Sequence, residues 1–362
     1  MENKKLFTIV VPMYNVECFL KDCLNSLVNQ SSKNFCAILI DDGSTDKTKE
    51  IALSYVEQYP NIFKYIYQKN KGLGGARNTG IDNIDTKYSI FLDSDDFIAV
   101  RTIEYLEELI SKQEEEPDII LTGPTIYNSI NKTYWPFYDN FEVNRIFANK
   151  DFTNVSINPE ILSLEASFWR CIWRTEFLKA NNVRFMEHVA WEDVPVHFVL
   201  FHEAKRIIKL TDKLTFFYRI NTGGQITAGT GKSRLDMPIV FKQIVDIMKQ
   251  QKWPMVERAH VINILQKFVK WTMEVISDEY RKEFVESAHI LYKSLSKKEY
   301  KAYKKYIHTS FKLRMMFKLF RSNSKHKILA DRSKTIRFEK RYEKLKRKAK
   351  TAAKKIKHLF RK

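Results

Sequence analysis

Tyr88-Ser89-Ile90-Phe91-Leu92-Asp93-Ser94-Asp95-Asp96 decides the fold. Its first five residues form an apolar run of strand length. The carboxylates that follow would repel one another unless a positive group sits between them. Asp93 and Asp95 are two apart, so they share one side of an extended segment. A divalent cation bound to phosphate is commonly held by one or two such carboxylates. A solvated acidic turn or a helix start uses the same residues. The nine residues alone do not separate these readings; their neighbours do.

Moving outward, strand-like and helix-like stretches alternate over the first 125 residues. Phe7–Val11, Ala37–Ile40, Ile62–Tyr67, Tyr88–Leu92 and Asp118–Leu121 read as strands. Helical spacing falls at 16–29, from a Ser44 or Thr45 cap to about Tyr59, at 76–84, and from Thr102. Such alternation predicts an α/β fold, a mostly parallel sheet with helices on both faces. Ligands then sit beyond the carboxyl ends of the strands. Pro12–Asn15, Asp41–Asp42 and Asp93–Asp96 each follow a strand, so they converge on one edge. Asp42 suits a hydrogen bond from a nucleobase, or an Asx turn. Gly72, Gly74, Gly75 and Gly80 are four of only ten glycines in the chain. They read as a turn around Arg77, which can pair with phosphate or carboxylate. Neither the dinucleotide fingerprint nor the P-loop is present, since the glycines do not follow the first strand and no G-K-[ST] ending occurs.

The 362 residues suffice for two units. Residues 1–235 read as the catalytic part, with halves at 1–125 and 126–235. Residues 236–310 read as helical, and 311–362 as a basic tail. The net charge of +19 is concentrated: 21 of the 62 basic and 3 of the 43 acidic residues lie at 311–362, leaving 41 and 40 for the body. Anionic partners therefore belong to the tail. The four cysteines lack C-x-x-C spacing, which argues against zinc and suits a reducing cytosol. No apolar segment approaches membrane-span length, and Met1–Lys5 lead into a strand without a secretion signal.

The ordered set resembles the family 2 inverting glycosyltransferases of GT-A fold over about residues 6–230. Val11-Pro12-Met13-Tyr14-Asn15 is similar to that family's opening motif, and Asp41-Asp42-Gly43-Ser44-Thr45-Asp46 to its uracil-contacting loop. Asn70 with Gly75-Ala76-Arg77-Asn78 resembles the nucleotide cradle, Asp93-Ser94-Asp95 the D-x-D metal motif, and Glu192-Asp193 the later E-D pair. The resemblance implies transfer from a UDP-linked sugar to a glycan, wall-polymer or lipid-linked hydroxyl, with Asp193 as general base. It implies Mg²⁺ or Mn²⁺ on Asp95 and Asp93. Pro12, Tyr14, Asn15, Asp42, Asn70, Arg77, Asp93, Ser94, Asp95, Glu192 and Arg219 would bind the nucleotide sugar. The Gly-rich loop after Arg219 departs from the pattern at Gln225. His197 lies one helical turn beyond Asp193 and is a further candidate for positioning acceptor or phosphate; a lone histidine is more often structural. Trp169, Trp173 and Trp191 suit sugar stacking or core packing. No Q-x-x-R-W motif follows, so a processive synthase is not expected.

Phe338, Tyr342, Leu345, Ala349, Ala352, Ile356 and Leu359 recur at steps of four and three, with Lys and Arg between them. This basic amphipathic stripe predicts contact with an anionic membrane surface. A homo-oligomeric seam or an acidic-polymer arm is the alternative; nucleic acid is not expected. The expected location is the cytoplasm, peripheral on the inner face of the cell membrane. Two other functions share parts of the pattern. A nucleotidyltransferase on a related scaffold would need a basic phosphate loop after the first strand. A non-catalytic binding protein would act through its tail alone.

Overall fold

A computed structural model describes residues 5–148, 150–223, 228–308, 310–337 and 340. The chain opens with β1 (Phe7–Met13), α1 (Glu17–Val28), β2 (Phe35–Asp41), α2 (Thr48–Gln58) and β3 (Phe63–Tyr67). It continues with α3 (Gly72–Asn83), β4 (Tyr88–Phe91), the short β5 (Phe97–Ile98), α4 (Thr102–Ser111), β6 (Ile119–Thr122), β7 (Thr125–Asn128) and β8 (Tyr134–Pro136). Next come α5 (Asn140–Phe147), β9 (Cys171–Arg174), α6 (Thr175–Ala180), α7 (Asp193–Glu203), β10 (Ile207–Leu210) and β11 (Phe216–Ile220). Helices close the described chain: α8 (Met237–Gln250), α9 (Met255–Val275), α10 (Asp278–Ser294), α11 (Lys297–Tyr306), α12 (Phe311–Phe320) and α13 (Lys327–Ala330).

The main sheet has the order β10-β6-β9-β4-β1-β2-β3. Only β9 runs antiparallel, between β4 and β6. β1 is buried along its whole length, as a continuous apolar run in a two-sided parallel sheet requires. Alternate residues feed opposite cores. Val10, Ile38, Phe91 and Ile119 join one with α3, α7 and the C-terminal helices, while Ile9, Leu39, Ile90 and Ile120 join the other with α1 and α4. A smaller sheet, β5-β11-β7-β8, stands beside the acidic edge.

Several boundaries differ from expectation. The glycines of 72–80 are not a turn but the body of α3. Their role is close approach: a Cβ on Gly74 would sit 2.1 Å from the Met186 carbonyl, and one on Gly80 2.4 Å from Val10. Ser44 and Thr45 do not cap α2: Lys47 stands at the N-cap without a side-chain bond, and Asp46 before it accepts the Thr48 N–H at 2.9 Å. The halves at 1–125 and 126–235 interleave, because β9 and β10 complete the first half's sheet. The packed helical region also runs past 310. Met316, Phe317, Leu319, Phe320 and Leu329 are buried in the same core as α9 and α10, and Arg332 donates to the Ile276 carbonyl at 2.6 Å. Sequence charge counts did not reveal this, because these apolar residues are interleaved with lysines. The stripe from Phe338 to Leu359 lies outside the described residues, as do Gly224–Thr227. No described helix is long and apolar enough to cross a membrane.

Candidate active site

The carboxyl ends of β1, β2 and β4 meet as the parallel register requires, with Met13 beside Asp41. Asn15, at a positive φ of 49°, turns back so that its Oδ1 accepts the Thr45 N–H at 2.8 Å, while its own N–H donates to Ser44 Oγ. Pro12 is buried beneath this turn, and Tyr14 is exposed above it. Asp41 braces the loop by accepting Ser44 N–H and Tyr65 Oη–H. Asp42 is buried, and its Oδ1 accepts from Gln68 Nε2 (2.6 Å) and the Lys71 N–H (2.8 Å). Asn70 Oδ1 accepts the Gly72 N–H at 3.3 Å. Asn15, Asp42 and Asn70 thus line one continuous turn-and-loop wall.

Arg77 is the hub. Its guanidinium donates to Asp93 Oδ1 at 2.7 Å and to Glu192 Oε1 at 2.5 Å, and it is 2% exposed. Burial opposes its charge, yet Asp93 and Glu192 outweigh that and push its pKa up. Arg77 therefore joins two carboxylates and ties the D-x-D motif to the E-D pair. Burial raises Glu192 to about 7, with Arg77 opposing and Asp193 adding to the rise. Asp193 is raised by burial too, again opposed by Arg77. Its Oδ2 accepts the Phe168 N–H at 3.2 Å, at the first position of α7.

The second arginine organises the other side. Arg219 donates its backbone N–H to Asp96 Oδ1 (2.7 Å), its Nε to the Asp95 carbonyl (2.7 Å) and its Nη2 to Asp22 Oδ2 (3.0 Å). Its guanidinium lies 5.1–5.6 Å from the ring centroids of Phe97, Phe19 and Tyr127. Ser94 is buried between the acids. Burial, then Asp95 and Asp93, hold Asp96 well above the usual carboxylate range. Burial and the neighbouring Asp93 raise Asp95 to about 6. The Asp95 side chain forms no ion pair among the described residues, and Asp93 is committed to Arg77. No group of three or more His, Cys, Asp or Glu side chains among the described residues forms a cage. This donor set fits a hard cation that takes its remaining oxygens from a diphosphate.

Trp191, immediately before the E-D pair, has a φ of 67°, a conformation costly for a bulky side chain. It is locked from both ends. Asp236 Oδ2 accepts the Ala190 N–H at 3.0 Å. Phe268 and Trp271 meet the indole edge-on, and Arg234 lies 4.0 Å from the Trp271 centroid and 5.2 Å from that of Trp191.

His197 does not reach the site. It is fully buried, stacks on Phe201 at 4.1 Å, and neither ring nitrogen has a hydrogen-bond partner. Trp173 stacks on Phe168, Trp169 on Tyr218, and Trp191 packs as described, so all three tryptophans are core residues. Sequence reasoning missed Asp22, Asp96, Asp139, Glu165, Arg170, Arg234 and Asp236. Only Asp96 carried a signal, as the last acid of the opening stretch. The others lie far along the chain from their partners.

Residues 8–168 match the family model described as glycosyl transferase family 2. The chain is 33% identical over 217 residues to the uncharacterized glycosyltransferase EpsJ of Bacillus subtilis, covering 60% of this chain and 61% of that protein. It is 29% identical over 255 residues to glycosyltransferase GlyA of Streptococcus pneumoniae, covering 68% of this chain and 35% of that one. It thus spans between about a third and three fifths of the length of these relatives. The crystal structure of S. aureus TarS 1-349 in complex with UDP-GlcNAc superposes over 90% of both chains, with a TM-score of 0.72 at 20% identity. That likeness shows a shared GT-A fold, the C-terminal helices included.

Proposed function

From the match of residues 8–168 to the glycosyl transferase family 2 model, we propose that the chain moves a sugar from a UDP-linked donor to an acceptor hydroxyl with inversion. The observation that carries the reading is Arg77, which binds Asp93 and Glu192 at once and so sets Asp193 beside the Asp93-Ser94-Asp95 turn. The wall of Asn15, Asp42 and Asn70, with Tyr14 above, takes the nucleoside. Arg219 orders Asp95 and Asp96 beneath the diphosphate. Asp95, with Asp93 beside it, would hold Mg²⁺ or Mn²⁺. When bound, that cation neutralises charge on the departing diphosphate.

Asp193 accepts the proton of the acceptor hydroxyl. The acceptor oxygen bonds to the anomeric carbon as the bond from that carbon to the diphosphate oxygen breaks on the opposite face. The Phe168 N–H fixes one carboxylate oxygen of Asp193, which leaves the other for the proton. A base placed in this way contributes about 10²–10⁴-fold. UDP release from a panel of UDP-sugars with Mn²⁺ tests the proposal; a panel with no turnover refutes it. TarS was crystallised with UDP-GlcNAc, so that donor heads the panel.

The basic tail would hold the enzyme at the inner membrane surface. Removing residues 338–362 keeps α12, α13 and Arg332 in place. It should sharply reduce binding to anionic vesicles, and the wild-type binding should weaken as salt rises. Unchanged vesicle binding with a dimer-to-monomer shift would make the tail an oligomer seam instead.

A further inference from the structure

Glu165 is a half-buried carboxylate with nothing to hold it. Its backbone is fully employed: the N–H donates to Asp139 Oδ2 at 2.8 Å, and the carbonyl accepts from Arg170 Nη2 at 3.3 Å. Arg170 in turn grips Asp139 through both Nη atoms, at 2.6 and 3.0 Å. Three residues later, the same loop donates the Phe168 N–H to Asp193. The Glu165 side chain makes no hydrogen bond and no ion pair among the described residues. A partly exposed carboxylate with no protein partner keeps its acceptor oxygens available to a ligand hydroxyl. The charges acting on it are Asp139, Arg170, Lys267 and Asp193; burial, then Asp139, raise its pKa.

The wall beside it is aromatic and open. Tyr138 is 68% exposed, and Phe141, on the first turn of α5, is 77% exposed. Tyr138 is held from behind by Phe137 at 4.7 Å, and Phe137 meets Trp169 edge-on at 5.8 Å. Burial, and then the charge of Glu165, raise the pKa of its phenol. Asp139, which follows Tyr138, accepts the Glu165 N–H, so an exposed ring and an unpaired acceptor lie close together, the pairing that binds a sugar: the ring covers a C–H face and the carboxylate takes a hydroxyl.

We propose that Tyr138 and Glu165 form the acceptor subsite, and that it takes a neutral pyranose ring with free hydroxyls rather than an alditol-phosphate segment. A flexible polyol phosphate offers no apolar face to Tyr138, and its anion would meet Glu165 and Asp193. The inference rests on the glycosyl-transfer reading and adds the acceptor's chemical class to it.

The test uses the full chain with two acceptor sets, methyl and nitrophenyl hexopyranosides against glycerol-phosphate oligomers. UDP release above the acceptor-free rate should rise with pyranosides and not with the oligomers. Tyr138→Ala and Glu165→Gln should each raise the acceptor KM about tenfold, well beyond any change in the donor KM, and Tyr138→Phe should restore it. Stimulation by glycerol-phosphate oligomers alone, or acceptor KM values within twofold of wild type in both variants, overturns the proposal. If no UDP-sugar is turned over, the transfer reading fails separately. Saturation-transfer NMR of the pyranosides with wild type and Tyr138→Ala, both with UDP, then decides the subsite: loss of signal in the variant supports it, and equal signal or none in wild type overturns it.

Discussion

The acidic edge of the sheet and the helical layer behind it handle buried charge in opposite ways. At the edge, Asp93, Asp95, Asp96, Glu192 and Asp193 crowd around two buried arginines, Arg77 and Arg219. In the helical layer, buried charges come in closed sets. Arg258 donates to Glu299 at 3.2 Å, while Glu299 also completes a capping box with Ser296 at the start of α11. Glu257 pairs with His202 at 2.6 Å. The layer is arranged for stability, whereas the edge holds a surplus of negative charge that stability alone would not retain.

The sharpest way to break this contrast is Asp193→Asn. If Asp193 is the proton acceptor proposed above, only that function is removed, so turnover should drop roughly 10²–10⁴-fold with UDP binding and melting temperature kept. Turnover near wild type would mean that the acidic surplus has another purpose. Next come paired removals, Arg77→Met and Arg258→Met, compared by urea unfolding. Each strips a cation from a buried carboxylate, which costs about 3–5 kcal/mol. The edge variant should differ in its pH response. Burial already raises Glu192 to about 7 against the pull of Arg77; without Arg77 that pKa climbs further above its unfolded value, so the deficit should grow as pH rises from 5 to 8. Equal pH responses would erase the distinction.

Asp95→Asn should weaken UDP binding in Mn²⁺ on the order of a hundredfold and remove its sensitivity to EDTA. A wild type indifferent to EDTA would refute the cation. The smallest effect concerns His197. Burial, then Arg170, lower its pKa to about 3. The unfolded chain takes up that proton first, below about pH 6.5, so stability falls as pH drops. Between pH 6.5 and 5 this amounts to at most about 2 kcal/mol. His197→Phe, measured by urea unfolding, should lose that part of the decline; identical slopes would place the histidine outside the core.

Much of the edge was legible in the sequence because each of its motifs is contiguous. A strand's apolar run ends and its acids begin within a few residues, and parallel pairing then forces the strand ends together. Ser44, Thr45 and the glycine turn misled because capping and turn preferences are local. Asp46 and the close contact of Gly74 with Met186 decided those positions instead. The partners of Arg77 and Arg170 lay beyond reach, since Glu192 and Asp139 are 115 and 31 residues away. His197 was misplaced for the opposite reason: its spacing from Asp193 is helical, but that face of α7 turns inward.

One feature of the topology bears on biosynthesis. β9 is inserted between β4 and β6, although Cys171–Arg174 is made long after both. While the chain is being translated, Tyr88–Phe91 and Ile119–Thr122 must wait with open edges, which are templates for misassociation. A nascent chain arrested before Cys171 should therefore need a chaperone and should be digested readily by protease. Release past Leu210, once β9 and β10 have closed both edges of β6 and α7 covers one face, should begin to confer protection, and it should be complete only when α8–α13 have packed on that face.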